Sequence, residues 1–402
     1  MRVQKARKYP TEKYTPKERV LRILDHQEAD RVTAELGGAM SYVTKQAYFK
    51  LKHHLGLPLL LGDEIDYWPR PSSYSSWWLP PIDEEIYRRF RIDFRPVRIK
   101  LAGPFVPKKI YPDGSFVDEW GYHRRAGETY LELAAPFALE HAETVEDIEN
   151  DPYWPDPEKE RSVEGLGRLA KAIDDAGYAV CCANPGSGGA WETAWYRRGF
   201  HKFAEDMYFR PKLAHALMNK VTELQLAMFD MLLDEVGDYC VMIGTGDDLG
   251  GQTSGLISLE KYRAFIKPYE KRMCDLIHSK TEAKVYFHCC GNMEMFMNDL
   301  IEIGVDVVNP VQPECPDMDL MALKEKYGNR ITFCGGIGSQ HILSRGSKAE
   351  VEAEVRRAIK AAATGGGYIA APGHIFQPEF PPENIAAMYD AVIKYGRYPI
   401  KL

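Results

Sequence analysis

The sequence predicts an α/β protein whose eight strands close into a parallel (β/α)8 barrel within one domain spanning residues 1–402. Two observations carry this expectation. From about residue 160 onward, short apolar runs alternate with longer segments of helical periodicity, which implies parallel pairing with a right-handed crossover each time. Counting two earlier runs, the strands number eight, the number that closes a barrel. An open doubly wound sheet is the runner-up. It is weakened because no Gly-x-Gly-x-x-Gly fingerprint follows the first strand.

The elements are justified in order. Thr15-Pro-Lys-Glu18 opens the first helix: Thr15 caps, Pro16 suits the first turn and Glu18 completes a capping box. Asp30 to Leu36 reads as the first strand, stopped by Gly37-Gly38, and Ile92 to Val97 as the second. Between them the chain is irregular. Residues 40–160 are expected to hold insertions on the barrel, including an aromatic segment with Tyr67, Trp68, Tyr74, Trp77 and Trp78 among prolines and serines. That stretch is too long and too aromatic for a simple connection, and it reads either as the wall of a pocket or as a self-packed surface excursion. Residues 115–138 alternate between turn signals and suit a hairpin, and 151–160 is a solvated connection rich in Pro, Asp and Glu. The regular part then runs helix 162–176, strand 178–183, helices 199–207 and 210–235, strand 239–244, helix 259–280 and strand 284–288. It continues with helix 294–303, strand 305–309, helix 318–327, strand 331–334, helix 348–364, strand 367–371 and a last helix from Pro382 to near Tyr395.

Bulk composition narrows the function classes. Apolar residues make up 45% of the chain, enough for a substantial core. A net charge of −7 with scattered Lys and Arg argues against nucleic acid as a partner. No apolar run approaches the roughly 20 residues that a membrane span needs. The N-terminal decapeptide is basic but lacks a signal peptide's apolar core. The eight cysteines are not spaced as a disulfide scaffold, so a reduced, cytoplasmic protein is expected. The sequence leaves a homodimer open.

In a barrel, chemistry sits at the C-terminal ends of the strands. Five consecutive ends here carry donors, carboxylates or metal-type ligands: Gly244-Thr-Gly-Asp-Asp248, His288-Cys-Cys290, Asn309-Pro-Val-Gln312, Cys334-Gly-Gly336 and Gly373-His374. Residues at i and i+2 near a strand end can face one point. His288 and Cys290 are therefore candidate metal ligands, with nitrogen and sulfur the pair that zinc favours. If His374 joins them, three protein ligands leave one position open, the arrangement of a catalytic zinc. Asp248 and Gln312 flank His288 and are candidates for orienting substrate or metal-bound water. Asp247 and Trp77 are candidates for substrate contact, although Asp247 also suits a loop cap. Cys289 should point away from Cys290 and be buried. Cys334 reads as a small buried hydrophobe, and His215 and His278 as packing or surface residues.

These residues resemble the uroporphyrinogen decarboxylase superfamily, over nearly the whole chain from about Glu18 to Tyr395. The resemblance is carried by Glu18-Arg-Val-Leu-Arg-Ile-Leu-Asp-His-Gln-Glu-Ala-Asp-Arg31, Gly246-Asp-Asp-Leu-Gly250, Phe287-His-Cys-Cys-Gly-Asn292, Gly304 to Gln312, Phe333 to Gln340 and Ala371 to Asn384. It implies a (β/α)8 barrel. The decarboxylase branch needs no metal and uses an arginine-rich N-terminal segment for its many-acid substrate. The matching loop here, Glu35 to Ser41, has no arginine. The other branch comprises cobalamin-dependent methyltransferases, with zinc on a His-x-Cys pair and a distant Cys whose position looks like His374. What the resemblance implies is a zinc-dependent methyltransferase of anaerobic methyl-transfer systems. It would move a methyl group between a small methylated substrate, such as a methoxylated aromatic ether, and a corrinoid protein, in the manner of O-demethylases. A porphyrinogen-like decarboxylase and a non-catalytic corrinoid- or tetrapyrrole-binding barrel are the alternatives.

Overall fold

A computed structural model describes residues 3–7, 9–39, 41–59, 81–127, 131–186 and 188–402. Its centre is a sheet of eight parallel strands: β1 (Thr33–Ala34), β2 (Phe94–Val97), β3 (Ala179–Cys182), β4 (Cys240–Gly246), β5 (Lys284–His288), β6 (Val307–Val311), β7 (Thr332–Ile337) and β8 (Tyr368–Pro372). The order is β1-β8-β7-β6-β5-β4-β3-β2, every neighbouring pair parallel. This order runs once round without the reversal that defines a doubly wound sheet, so the fold is the barrel type and the open alternative falls.

Strands β1 and β2 share no ladder among the described residues; side chains close the seam between them. Asp93 lies just before β2 and is buried. Its carboxylate accepts from Arg19 Nη1 at 2.7 Å, Arg31 Nη2 at 2.8 Å, Arg31 Nη1 at 2.9 Å and Thr33 Oγ1 at 2.7 Å. Arg19 also binds Asp30 at 2.6 Å, and Arg31 binds Glu12 at 2.9 Å. Buried charges persist when each is paired and hydrogen-bonded, and that condition is met throughout this cluster.

Most regular elements match the sequence expectation, with instructive departures. The first strand is much shorter than 30–36, because Arg31 already pairs with Arg397 and the chain turns at Gly37. The helix expected over 259–280 is two, Leu259–Phe265 and Lys267–Lys280, since Pro268 lacks an N–H and would clash with a carbonyl one turn back. Strand β7 runs past 334, through two glycines read from sequence as a stop. A Cβ on Gly335 would stand 2.5 Å from the Val311 nitrogen, so glycine here lets β6 and β7 approach closely. Helices Lys45–His54, Glu84–Arg89 and Ala190–Arg198 were not expected. The hairpin is a four-stranded antiparallel sheet of Lys109–Ile110, Phe116–Val117, His123–Ala126 and Leu131–Leu133. The connection after 151 ends in Arg161–Ser162, paired with Lys100–Leu101. Trp77 and the rest of 60–80 lie outside the described residues.

Among the described residues no helix is long and apolar enough to cross a membrane. All eight cysteines are free thiols.

Candidate metal centre and its surroundings

The register of β4 against β5 builds the centre. Gly246 pairs with His288, so Asp247 and Asp248 emerge beside Cys289 and Cys290. Gly246 has φ +147°, and a Cβ there would overlap the His288 carbonyl oxygen. Only glycine permits this approach.

Asp248, His288 and Cys290 converge, each offering one ligand atom, all within 4.8 Å of one another. His288 Nε2 is 3.4 Å from Cys290 Sγ and 3.9 Å from Asp248 Oδ1. Asp248 Oδ1 also accepts from the Cys290 backbone N–H at 2.7 Å, which ties the β4 end to the β5 end. His288 Nδ1 meets Asn309 Oδ1 at 2.9 Å, and Asn309 Nδ2 donates to Cys334 Sγ at 3.4 Å. That chain fixes the amide, gives Nδ1 the proton and leaves the Nε2 lone pair facing Cys290. Burial first, then the negative charge of Asp248, holds the Cys290 thiol well above its ordinary pKa.

The remaining candidates fall in different places. His374 shares the mouth, where burial and then the charge of His288 lower its pKa. It is not among the three tightly gathered donors. It follows β8, three ladders round from β5, and Gln377 Nε2 lies 3.3 Å from its Nδ1. Asp248 holds the third place because β4 is the immediate neighbour of β5. Gln312 is buried and its Oε1 accepts from the Gly291 N–H, so it holds the turn after Cys290. Asp247, a candidate for substrate contact or for a cap, is fully buried. It accepts from the N–H groups of Trp191 at 3.0 Å and Glu192 at 2.8 Å, at the start of helix Ala190–Arg198. An N-terminal turn leaves such N–H groups without helical partners, and a carboxylate satisfies them. Cys289 is buried, its Sγ 3.3 Å from the Leu249 N–H. His215 stacks on Phe265, and exposed His278 bonds the Gly304 carbonyl.

Sequence reasoning missed Glu192 and Tyr196. Glu192 is largely buried, and Tyr196 OH donates to its Oε1 at 2.8 Å. Burial, then the charges of Asp248 and Asp247, holds the Glu192 carboxyl well above the usual range. Helix Ala190–Arg198 has little apolar periodicity. The available signal was its length: the stretch after the third strand is too long for a bare βα loop.

Comparison with known proteins places this geometry. The sequence profile of the family described as Uroporphyrinogen decarboxylase (URO-D) matches residues 132–395. A curated Uroporphyrinogen decarboxylase of Legionella pneumophila is 25% identical over 214 residues, 51% of this chain and 56% of the relative. A second, from Pseudomonas paraeruginosa, is 23% identical over 62% of this chain and 68% of the relative. The match to the Legionella protein thus takes in little more than half of that relative's length. Among solved structures, a "methyltransferase from Methanosarcina mazei" superposes with a TM-score of 0.61 at 16% identity, covering 95% of this chain and 99% of that one. A likeness at that identity speaks for the barrel fold. With eight parallel strands in barrel order and a family profile spanning β3 to β8, the chain belongs to the uroporphyrinogen decarboxylase family.

Proposed function

We propose that this protein is a zinc-dependent methyltransferase that moves a methyl group between a small methylated substrate and a corrinoid carried by a partner protein. The observation that carries the reading is the Asp248, His288 and Cys290 donor set at the barrel mouth. Zinc bonds of about 2.0 Å to nitrogen and 2.3 Å to sulfur put tetrahedral N and S ligands roughly 3.5 Å apart. His288 Nε2 and Cys290 Sγ stand 3.4 Å apart. The Asn309 bond to Nδ1 is the outer support that metal-bound imidazoles carry. His288, Cys290 and Asp248 would hold the ion, and His374 lies near enough at the same mouth to feel the charge of His288.

Bound zinc supplies a Lewis acid for the heteroatom that carries the methyl group. The chain's own residues do the rest. Asn309 orients His288, Asp248 joins the two strand ends, and Gln312 fixes the turn that presents Cys290. The structural neighbour named a methyltransferase shares the fold and is compatible with the reading.

The names of the curated relatives favour a second reading, decarboxylation of a many-acid tetrapyrrole. That chemistry needs cations at the mouth. The arginine that reaches the Glu35–Ser41 loop, Arg98, donates to the carbonyls of Gly37 at 3.0 Å and Gly38 at 2.8 Å, so those donors are engaged within the protein.

The experiment is metal analysis of purified protein, followed by incubation with reduced cobalamin and a panel of methyl ethers, thioethers and thiols, with a porphyrinogen in parallel. About one zinc per chain and methylcobalamin formation are expected. A metal-free protein that decarboxylates the porphyrinogen and transfers no methyl group would overturn the proposal.

A further inference from the structure

On the barrel face opposite the donors, the N-terminal arm, helix Glu84–Arg89 and the approach to β2 enclose a cleft of about 20 Å³. That is room for one oxygen-sized body. Arg7, Arg31, Arg88, Arg91 and Arg95 line it, beside the carboxylates of Glu12 and Asp93. The inner part is charge-matched. Asp93 is taken up by Arg19 and Arg31, and Glu12 by Arg31, Arg19 and, at 3.6 Å, Arg91. The outer part is not. Arg88 and Arg95 divide a single carboxylate, Glu84, at 3.0 Å and 2.9 Å. Exposed Arg7 has its guanidinium 5.5 Å from the Tyr9 ring centre and makes no ion pair among the described residues. Three guanidinium groups against one carboxylate leave a surplus of positive charge beside the cleft.

Arg91 is placed there against its backbone preference. It follows Phe90, the C-cap of helix Glu84–Arg89. The Ile92 N–H donates to the Tyr87 carbonyl at 2.9 Å and the Arg91 N–H to the Arg88 carbonyl at 3.2 Å, the pattern that closes a helix with a left-handed residue. Glycine is the ordinary occupant of that position, yet here arginine holds φ +51°. An outlier of this kind points to a use for its side chain. The Arg91 guanidinium lies 4.0 Å from the Tyr9 ring centre, and Tyr9 OH donates to the Arg88 carbonyl at 2.9 Å. One tyrosine thus gathers Arg7, Arg88 and Arg91. The Arg91 contact with Glu12 is too long for a hydrogen bond, so its donors remain open to a further acceptor.

We propose that this cleft binds a small inorganic oxyanion of the phosphate type, held by Arg7, Arg88 and Arg91. Guanidinium forks match the paired oxygens of such an ion, and its charge offsets the surplus. One oxygen fills the hollow and the others face solvent and the forks. Arg7 belongs to the N-terminal arm, Arg88 to helix Glu84–Arg89 and Arg91 to the approach to β2, so a single ion ties three segments at the closing seam. The site is independent of the methyl-transfer reading. It lies at the N-terminal ends of the strands, the face on which barrels keep stability and not chemistry.

The test is thermal unfolding of the full chain in sodium phosphate against sodium chloride at equal ionic strength and pH, with equilibrium dialysis of radiolabelled inorganic phosphate. Wild type should show a single saturable site. A tenfold excess over Kd should raise the melting temperature by about 2 °C beyond chloride, from mass action and the unfolding entropy of a chain this long. Two variants probe the cleft. Arg7→Gln removes a guanidinium that has no ion pair, and Arg91→Gly suits the left-handed backbone, so both should fold. Each should lose the phosphate-specific rise and bind phosphate roughly tenfold more weakly or worse, the worth of a charged hydrogen bond. Arg125→Gln, on the exposed insertion, is the control and should keep the rise. If phosphate and chloride act alike on wild type, or if either cleft variant responds to phosphate as wild type does, the inference is wrong.

Discussion

Replacing Asp93 by asparagine should lower the melting temperature by about 4 °C. The buried cluster at the β1–β2 seam is charge-balanced, with Arg19, Arg31 and Arg91 against Glu12, Asp30 and Asp93. Asparagine keeps the volume but leaves one buried positive charge uncompensated. Breaking such a pair costs roughly 3–5 kcal/mol. The low end applies, because Arg19 keeps Asp30 at 2.6 Å and Arg31 keeps Glu12 at 2.9 Å. At about 2.1 cal/mol/K per residue the unfolding entropy of this chain is near 0.8 kcal/mol/K, and about 3 kcal/mol becomes a shift of about 4 °C. Differential scanning calorimetry reads the shift, and amide exchange should accelerate at Thr33 and Ala34. Asp175→Asn, which breaks an exposed pair with Lys171, is the control and should not move the transition. If Asp93→Asn behaves like that control, the seam is not held by this cluster.

Four further outcomes are expected. Asn309→Ala should weaken zinc binding about 10- to 100-fold while the fold persists, as read by chelator competition, because His288 loses its orienting partner. Cys290→Ala should lose the metal, whereas Cys289→Ala should keep it and cost only packing; the opposite pattern in metal analysis would reverse the ligand assignment. Gly246→Ala should give little soluble protein, since its Cβ would overlap the His288 carbonyl oxygen. Asp30 has its carboxyl held near pKa 2: burial pushes it up, but the bond from Arg19 and the N–H groups of Tyr14 and Lys13 outweigh that. A depressed carboxylate stabilises above its unfolded pKa, so about 2 kcal/mol should be present above pH 4 and lost as pH falls toward 2. Asp30→Asn should flatten that acid slope in melting experiments.

The barrel was legible because its strands are buried on both sides and bounded by polar ends, so each apolar run announced itself. The His288 and Cys290 pair was legible for the same reason, since strand geometry fixes where i and i+2 point. What the sequence hid depends on which strands are neighbours. Along the chain His374 is the candidate third partner and Asp248 a candidate for orienting substrate or metal-bound water. Only the β4–β5 register makes Asp248 adjacent and puts His374 three ladders away. The N–H groups that Asp247 accepts from lie on a helix start with weak periodicity, so which backbone it would cap was not readable, and Glu192 was hidden with it. Asn309 was seen as a strand end, but its bond to His288 is a matter of cross-strand pairing that one strand's sequence does not carry.

The seam and the metal-type donors lie at opposite points of one ring. Going round from β1 through β8 or from β2 through β3, the last partners reached are β6 and β5, which carry Asn309 and His288, and β4, which leads to Asp248, is one ladder nearer the seam. A ring with a side-chain clasp yields first at the clasp. Here any loosening must pass through at least two intact hydrogen-bonded ladders, in either direction, before it alters the spacing of the donors. The hinge of this barrel is therefore placed where its movement disturbs the centre least. A protein weakened at Asp93 should melt earlier yet bind its metal as tightly as before.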